Sequence, residues 1–410
     1  VSINMRSDFN ADPRSIGYWG LGTHLLSLSE WILKIAKERN IPTIHFVARD
    51  GYLVKQAFDL LNDSNTISNY IRLSRKALIL ADITTKEDLY CLNHKINVLR
   101  VTPQQLTEYL RPIISCSNAE IKSIFQRNHI FIDREFGNIP EYQNCIKVLS
   151  DYVLDFSLLP AYHKKLSAYF SAIVHPGDYI FDVGYNGRPE SALSNLLGFP
   201  VGSLYIHVNS EIAAKRQSKF HCPNECFYGN KPSITGVMRE HLMMELGPST
   251  TGYVEKKGTL EPVFEDYMEE YSSSLITRIV QNSALKFICD YVNIFGKFRE
   301  QIILPLDALS APFEYYLHYS KPIDRQIFAT LPFEDDLGEG NSFGALDFWN
   351  QEIEKHNLNK TMDAIAGLPQ ELSDLYLDGL FVKFYKIMNK RFPKGSAGRA
   401  MLKRIAAIFM

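Results

Sequence analysis

Cysteine is scarce: Cys91, Cys116, Cys145, Cys222, Cys226 and Cys289 are the six in a chain of 410 residues. That is too dilute for a disulfide framework, and a core of this size needs none, so a reducing, cytoplasmic compartment is expected. No uncharged apolar run reaches the roughly 18 residues of a membrane span, and no signal peptide is seen. The chain reads as soluble, at most peripherally attached to a membrane. Charge of one sign is lacking too. Lys and Arg total 44 against 46 Asp and Glu, a net charge of −2, which gives no global basic field and disfavours nucleic acid as a partner. G-x-S-x-G, G-x-x-x-x-G-K-[ST] and a full G-x-G-x-x-G are all missing, so serine-hydrolase, P-loop and dinucleotide-binding readings lack support. His221-Cys222-x-x-x-Cys226 has no second ligand pair at finger spacing, which argues against structural zinc.

What is present is apolar and aromatic: 46% hydrophobic and 12% aromatic residues, a globular composition with core for two or three domains. The first residue is Val1 rather than Met, from which a chain cut from a longer protein is expected. No internal repeat or low-complexity linker marks a boundary, so domain limits rest on topology.

Leu21, Leu25, Leu28, Ile32 and Ile35 recur at helical spacing over 18–39. Pro42 opens TIHFVA (43–48), a β-rich run ending in Arg49-Asp50-Gly51, and a second helical pattern starts at Tyr52. A short strand with a basic continuation follows in 66–80, and 84–172 has helical period. Strand grammar returns at Asp178–Val183, then a helix over 189–197 and a strand over 203–208. The expected fold is α/β: a mostly parallel sheet core with ligand loops at strand C-terminal ends, a helical insertion and a helical C-terminal region. The core is assigned to 17–83 and 173–265, the insertion to 84–172, and a mainly helical region to 266–410. Within it, helices are expected at about 266–300 and 345–392. Residues 218–265 read as loop-rich.

Four constellations could carry chemistry. Arg49, Asp50 and Gly51 end a strand, the edge where α/β sheets bind ligands; an Asp capping the next helix with Arg as its surface partner is the structural alternative. Asp182-Val-Gly184-Tyr-Asn186-Gly187-Arg188 lies between a strand and a helix, where two glycines let a phosphate approach the backbone and Arg188 adds charge. Plain turn chemistry is the alternative. Arg72, Ser74, Arg75 and Lys76 could cradle phosphates or form a basic surface face. Glu245, followed by a Gly/Ser/Thr loop, could hold a sugar hydroxyl or end a helix. At the C-terminus, Lys390, Arg391, Lys394, Arg399, Lys403 and Arg404 interleave with apolar residues. Such a segment can lie on an anionic membrane surface or pack on the body as a terminal helix.

With GYWGLG (17–22), FVARDGYLVK (46–55), IRLSRKAL (71–78) and FDVGYNGRPE (181–190), the chain resembles the C-terminal half of two-domain proteins of bacterial surface-polysaccharide clusters. Their N-terminal half is a haloacid-dehalogenase-type phosphatase. The resemblance covers most of 17–265. Members of that family are described as glycan-specific phosphoribosyltransferases, which move phosphoribose from 5-phosphoribosyl 1-diphosphate to a glycan. The phosphatase half then leaves ribofuranose.

The resemblance implies a cytoplasmic-face transferase with a lipid-linked O-antigen or capsule acceptor, Mg²⁺ travelling with the donor, and a phosphatase domain in the same or a neighbouring chain. Arg49, Gly51, Arg72, Ser74, Arg75, Lys76, Gly184, Asn186, Gly187 and Arg188 would then bind the donor. Asp50 or Asp182 would hold Mg²⁺ or ribose hydroxyls, and Asp50, Asp182 or Glu245 would be the base. Ala48 stands where a haloacid-dehalogenase nucleophile belongs, so phosphatase chemistry by that mechanism is not expected from this chain. The competing readings are a catalytically silent haloacid-dehalogenase-like module that binds a phosphosugar or an assembly partner, and a nucleotide-sugar transferase.

Overall fold

The structure is a computed structural model. It describes residues 7–354 except 75–76, 93–97, 185–186, 210–219, 229–235, 267–270, 303–304, 330, 335–341, 345, 348 and 352. Arg75, Lys76, Asn186, the basic tail and most of the segment expected to be helical at 345–392 lie outside the described residues. The chain divides into two compact units, 1–349 and 350–410, and the description below is of the first.

A five-stranded parallel sheet forms the core: β1 (Thr43–Val47), β2 (Ile67–Ile71), β3 (Tyr179–Asp182), β4 (Gly202–Tyr205) and β5 (Asn224–Cys226), in the order β2-β1-β3-β4-β5. The α/β expectation holds. Burial of β1, β3 and β4 is nearly continuous, as strands covered on both faces require. Side chains still alternate between the faces. Phe46 points to one face, its ring 5.5 Å from Phe58 and 5.5 Å from Phe181, while its neighbour Val47 joins Ile71 and Ile180 in the core on the other.

Helix α1 (Gly22–Arg39) precedes β1, and α2 (Tyr52–Leu61) connects β1 to β2. Between β2 and β3 lies the helical run expected from 84–172: α3 (Lys86–Tyr90), α4 (Pro103–Tyr109), α5 (Asn118–Arg127), α6 (Ile139–Tyr152) and α7 (Leu159–Ser171). Capping boxes open α4 at Thr102 and α5 at Ser117, each satisfying two end N–H groups reciprocally. Leu106, Phe125, Tyr142, Leu149, Leu166 and Phe170 of this run share one core with Val47, Ile71 and Ile180, together with Ala192 and Leu193 of α8 (Arg188–Leu197).

Three elements of the sheet side were not read from sequence. β5 and the antiparallel hairpin β6 (Thr250–Lys256) and β7 (Thr259–Phe264) occupy the stretch taken as loop-rich. The strand expected over 203–208 ends at Tyr205. Helix α9 (Gly236–Met243) follows β5, with Met238, Arg239, His241, Leu242 and Met243 all buried.

Helices α10 (Tyr271–Phe295) and α11 (Leu306–Tyr319) pack on α1 and on the π-helical turn Ile16–Leu21 that leads into it. The glycines of GYWGLG make that approach possible. A Cβ on Gly17 would stand 2.3 Å from the Val280 carbonyl oxygen, and one on Gly22 would stand 2.7 Å from Phe287 Cβ. Neither distance is compatible with a side chain unless a helix moves. No described helix is long and apolar enough to cross a membrane.

Candidate functional site

In a doubly wound sheet of this strand order, chain connections leave β1 and β3 in opposite directions, and the crevice between their carboxyl ends is the place for a ligand. The two loops singled out in the sequence are the ones that flank it. Residues 48–51 follow β1 and 183–187 follow β3, strands paired in register from Ile44–Tyr179 to Phe46–Phe181.

The first loop turns tightly. The Gly51 N–H donates to the Val47 carbonyl at 2.7 Å, and a Cβ at Gly51 would lie 2.9 Å from that same oxygen. Only glycine fits there. The Ala48–Arg49 peptide is cis. A turn at 245–247 docks onto the loop from both directions: the Glu245 N–H donates to the Arg49 carbonyl at 3.0 Å, and Arg49 Nη1 donates to the Gly247 carbonyl at 3.1 Å. Gln281 of α10 holds that turn from behind, its Nε2 donating to the carbonyls of Leu242 at 3.2 Å and Met244 at 2.9 Å.

Arg72, one residue past β2, pairs with Glu245 on both prongs: Nη1 to Oε2 at 2.5 Å and Nη2 to Oε1 at 3.1 Å. The Tyr70 hydroxyl donates to Oε2 at 2.8 Å. The Arg72 guanidinium carbon lies 4.9 Å from the centre of the Tyr70 ring and 5.5 Å from that of Phe264, which fixes its plane. Burial, and then the bond to Glu245, push the Tyr70 phenol well above its ordinary pKa; the Asp50 charge acts in the same direction. Ser74 Oγ donates to the Thr250 carbonyl.

The second loop begins at Asp182, which is buried beside Tyr205 in the β3–β4 register. Burial, with the charges of Glu190 and Asp182, raises the Tyr205 phenol far above its usual value, so it stays a donor, and it donates to Glu190. Among the described residues, the His207 carbonyl is the one atom near Gly184, at 4.0 Å from an added Cβ. Gly187 has φ of +62° and stands at the N-cap of α8 without a side-chain cap, so the first N–H groups of that helix point toward the crevice. Arg188, its first residue, is buried.

Arg49, Asp50, Arg72, Ser74 and Glu245 therefore form one group around the ends of β1 and β2, while Asp182, Gly184, Gly187 and Arg188 form another at the end of β3. Strand pairing sets the two side by side. Among the described residues no three His, Cys, Asp or Glu gather as a metal cluster. Cys222 instead contacts Ser194 Oγ at 3.2 Å, and the Cys226 thiol faces the Ile206 carbonyl. The carboxylates of Asp50 and Asp182 remain the candidates for Mg²⁺. One or two protein carboxylates, completed by substrate phosphate oxygens, is the usual donor set of that ion.

Sequence reasoning missed a polar cluster on the same edge of the sheet. Arg239 of α9, fully buried, pairs with Glu314 of α11 at 2.7 Å and approaches His24 Nε2 at 3.3 Å. The Tyr228 hydroxyl donates to Glu314 Oε1 at 2.8 Å, and the Tyr228 ring stacks between those of His24 and His207. Burial and the Arg239 charge push His24 down to about 3, so it is neutral. Burial raises Glu314, but the Arg239 charge and the hydrogen bonds from His318 and Arg239 together outweigh it and hold this carboxyl well below the usual range. Burial, and secondarily Arg49, push His241 down to about 4. No short motif announces these residues, because their partners come from helices far apart in sequence. No family model matches the chain, and no curated protein matches it.

Proposed function

We propose that the chain is a glycosyltransferase of bacterial surface-polysaccharide assembly that transfers phosphoribose from 5-phosphoribosyl 1-diphosphate to a glycan hydroxyl. The observation that carries this reading is the placement of the Arg49-Asp50-Gly51 loop and the Asp182-x-Gly184-x-x-Gly187 loop on the two sides of the sheet's switch point. A donor with phosphate at both ends suits a crevice with a helix N-terminus on one side and arginines on the other.

In the reaction, the acceptor oxygen forms a bond to the anomeric carbon while the bond from that carbon to the diphosphate breaks, its electron pair leaving with diphosphate. The acceptor proton passes to a carboxylate among Asp50, Asp182 and Glu245. Backbone N–H groups at Gly184–Gly187 and the Arg49, Arg72 and Arg188 guanidinia hold the departing charge. Asp50 and Asp182 would hold Mg²⁺, which supplies further neutralisation of the diphosphate. A phosphatase in the same or a neighbouring chain then removes the 5-phosphate, and a lipid-linked acceptor at the cytoplasmic face of the membrane completes the scheme.

The test is incubation with 5-phosphoribosyl 1-diphosphate, Mg²⁺ and a panel of synthetic O-antigen acceptors. Acceptor-dependent diphosphate release supports the reading. Absence of release with every acceptor, alongside turnover of a nucleotide sugar, sinks it.

A further inference from the structure

We propose that Glu245 is an intramolecular occupant of an anion site built around Arg72, and that the donor's diphosphate takes its place on binding. The inference rests on the reading of this sheet edge as a phosphate site and adds how that site is regulated when empty.

Three observations carry it. The first is the shape of the pair. A planar guanidinium engaged on two N–H prongs, its face fixed by Tyr70 and Phe264, is the arrangement that binds either a carboxylate or a phosphate. Tyr70 adds a third donor on the same oxygen. The second is access. The side chains of Arg72 and Glu245 are 31% and 21% exposed, so an anion from solvent can reach the fork.

The third is that neither partner needs the ion pair to stay where it is. The 245–247 turn is fixed by its one backbone bond to Arg49, by the Arg49 side chain on Gly247 and by Gln281 on Met244. On the other side, the Tyr253 hydroxyl donates to the Arg72 carbonyl at 2.6 Å. The Glu245 side chain can therefore swing off Arg72 with both backbones in place. A diphosphate brings more negative charge than one carboxylate and meets three preorganised donors. In leaving, Glu245 becomes a carboxylate beside the bound donor. The empty site thus screens weaker anions from Arg72, and binding of the correct one exposes a candidate base.

The probe is inorganic pyrophosphate, titrated calorimetrically into the full chain at low ionic strength. Glu245→Gln keeps the shape and removes the competing charge, so it should bind about fivefold to tenfold tighter than the parent. Glu245→Ala serves the same comparison if the first variant does not melt cooperatively. The gain should vanish in Glu245→Gln combined with Arg72→Gln. Equal or weaker binding by folded Glu245→Gln, or a gain that survives loss of Arg72, overturns the proposal and leaves the phosphate reading standing. Pyrophosphate binding to none of the proteins overturns both.

Discussion

The Arg49 guanidinium donates to the carbonyl of Gly247 at 3.1 Å, across 198 positions of sequence, while the Arg49 carbonyl accepts from the N–H of Glu245. A loop after the first strand is in this way locked to the turn that follows α9. The crevice between β1 and β3 thereby gains a wall fixed from α10 through Gln281.

Gln281→Leu tests that wall. It strands the buried carbonyl of Leu242 and the half-buried one of Met244, a loss of about 1–3 kcal/mol, read as a lowered midpoint in urea unfolding. If the turn positions Arg49, donor affinity falls with it; unchanged stability and affinity together would show that the two bonds position nothing.

Asp182→Asn keeps the size of the side chain and removes its charge at the end of β3. Acceptor-dependent diphosphate release should fall about 100-fold or more, with the melting temperature within a few degrees of the parent. A rate near that of the parent would move the site elsewhere.

Gly17→Ala and Gly22→Ala test the packing of α10 on the turn before α1. Each puts a Cβ inside contact distance of the facing helix, and overpacking of this sort costs about 1–3 kcal/mol. Gly17→Ala should be the worse, because it meets a backbone carbonyl that cannot turn aside. Gly252→Ala, with nothing among the described residues within 4 Å of the added atom, is the control and should change stability little. Chemical denaturation ranks the three.

His24 and His241 set a pH dependence. Burial, with Arg239 beside one and Arg49 beside the other, lowers them to about 3 and about 4 in the folded state, against about 6.5 unfolded. The unfolded chain therefore binds protons that the folded chain refuses. Stability is intact above about pH 6.5 and is lost as pH falls toward 4, at up to roughly 1.4 kcal/mol per pH unit for each histidine. Urea midpoints measured between pH 7 and 4.5 should decline, and His241→Gln should flatten the decline. A flat profile in the parent contradicts the buried neutral assignment.

Much of the sheet was legible because buried parallel strands are written as short apolar runs with ligand loops behind them: TIHFV ending at Arg49-Asp50-Gly51, and YIFD ending at Gly184. β5 was not, since Asn224-Glu225-Cys226 is a half-exposed edge strand without an apolar run. The β6–β7 hairpin hid behind Gly252 and Gly258, and no residue of β7 is fully buried. At the site, Arg72 and Glu245 were each singled out, but their pairing was invisible, because nothing local in a sequence sets an ion pair between residues 173 positions apart. Arg239, Glu314 and Gln281 were overlooked for the same reason. Each looks like an ordinary polar residue of a surface helix until the fold buries Arg239 and Gln281 and sets Glu314 against Arg239.

On the proposed function, one anionic donor binds between the ends of β1 and β3. Hydrogen exchange read by mass spectrometry, with and without 5-phosphoribosyl 1-diphosphate and Mg²⁺, tests it most directly. Exchange should slow in peptides spanning 46–55 and 181–193 and stay unchanged in the α5–α6 region at 118–152. Protection absent from both loops, or confined to segments away from the carboxyl edge of the sheet, would contradict it.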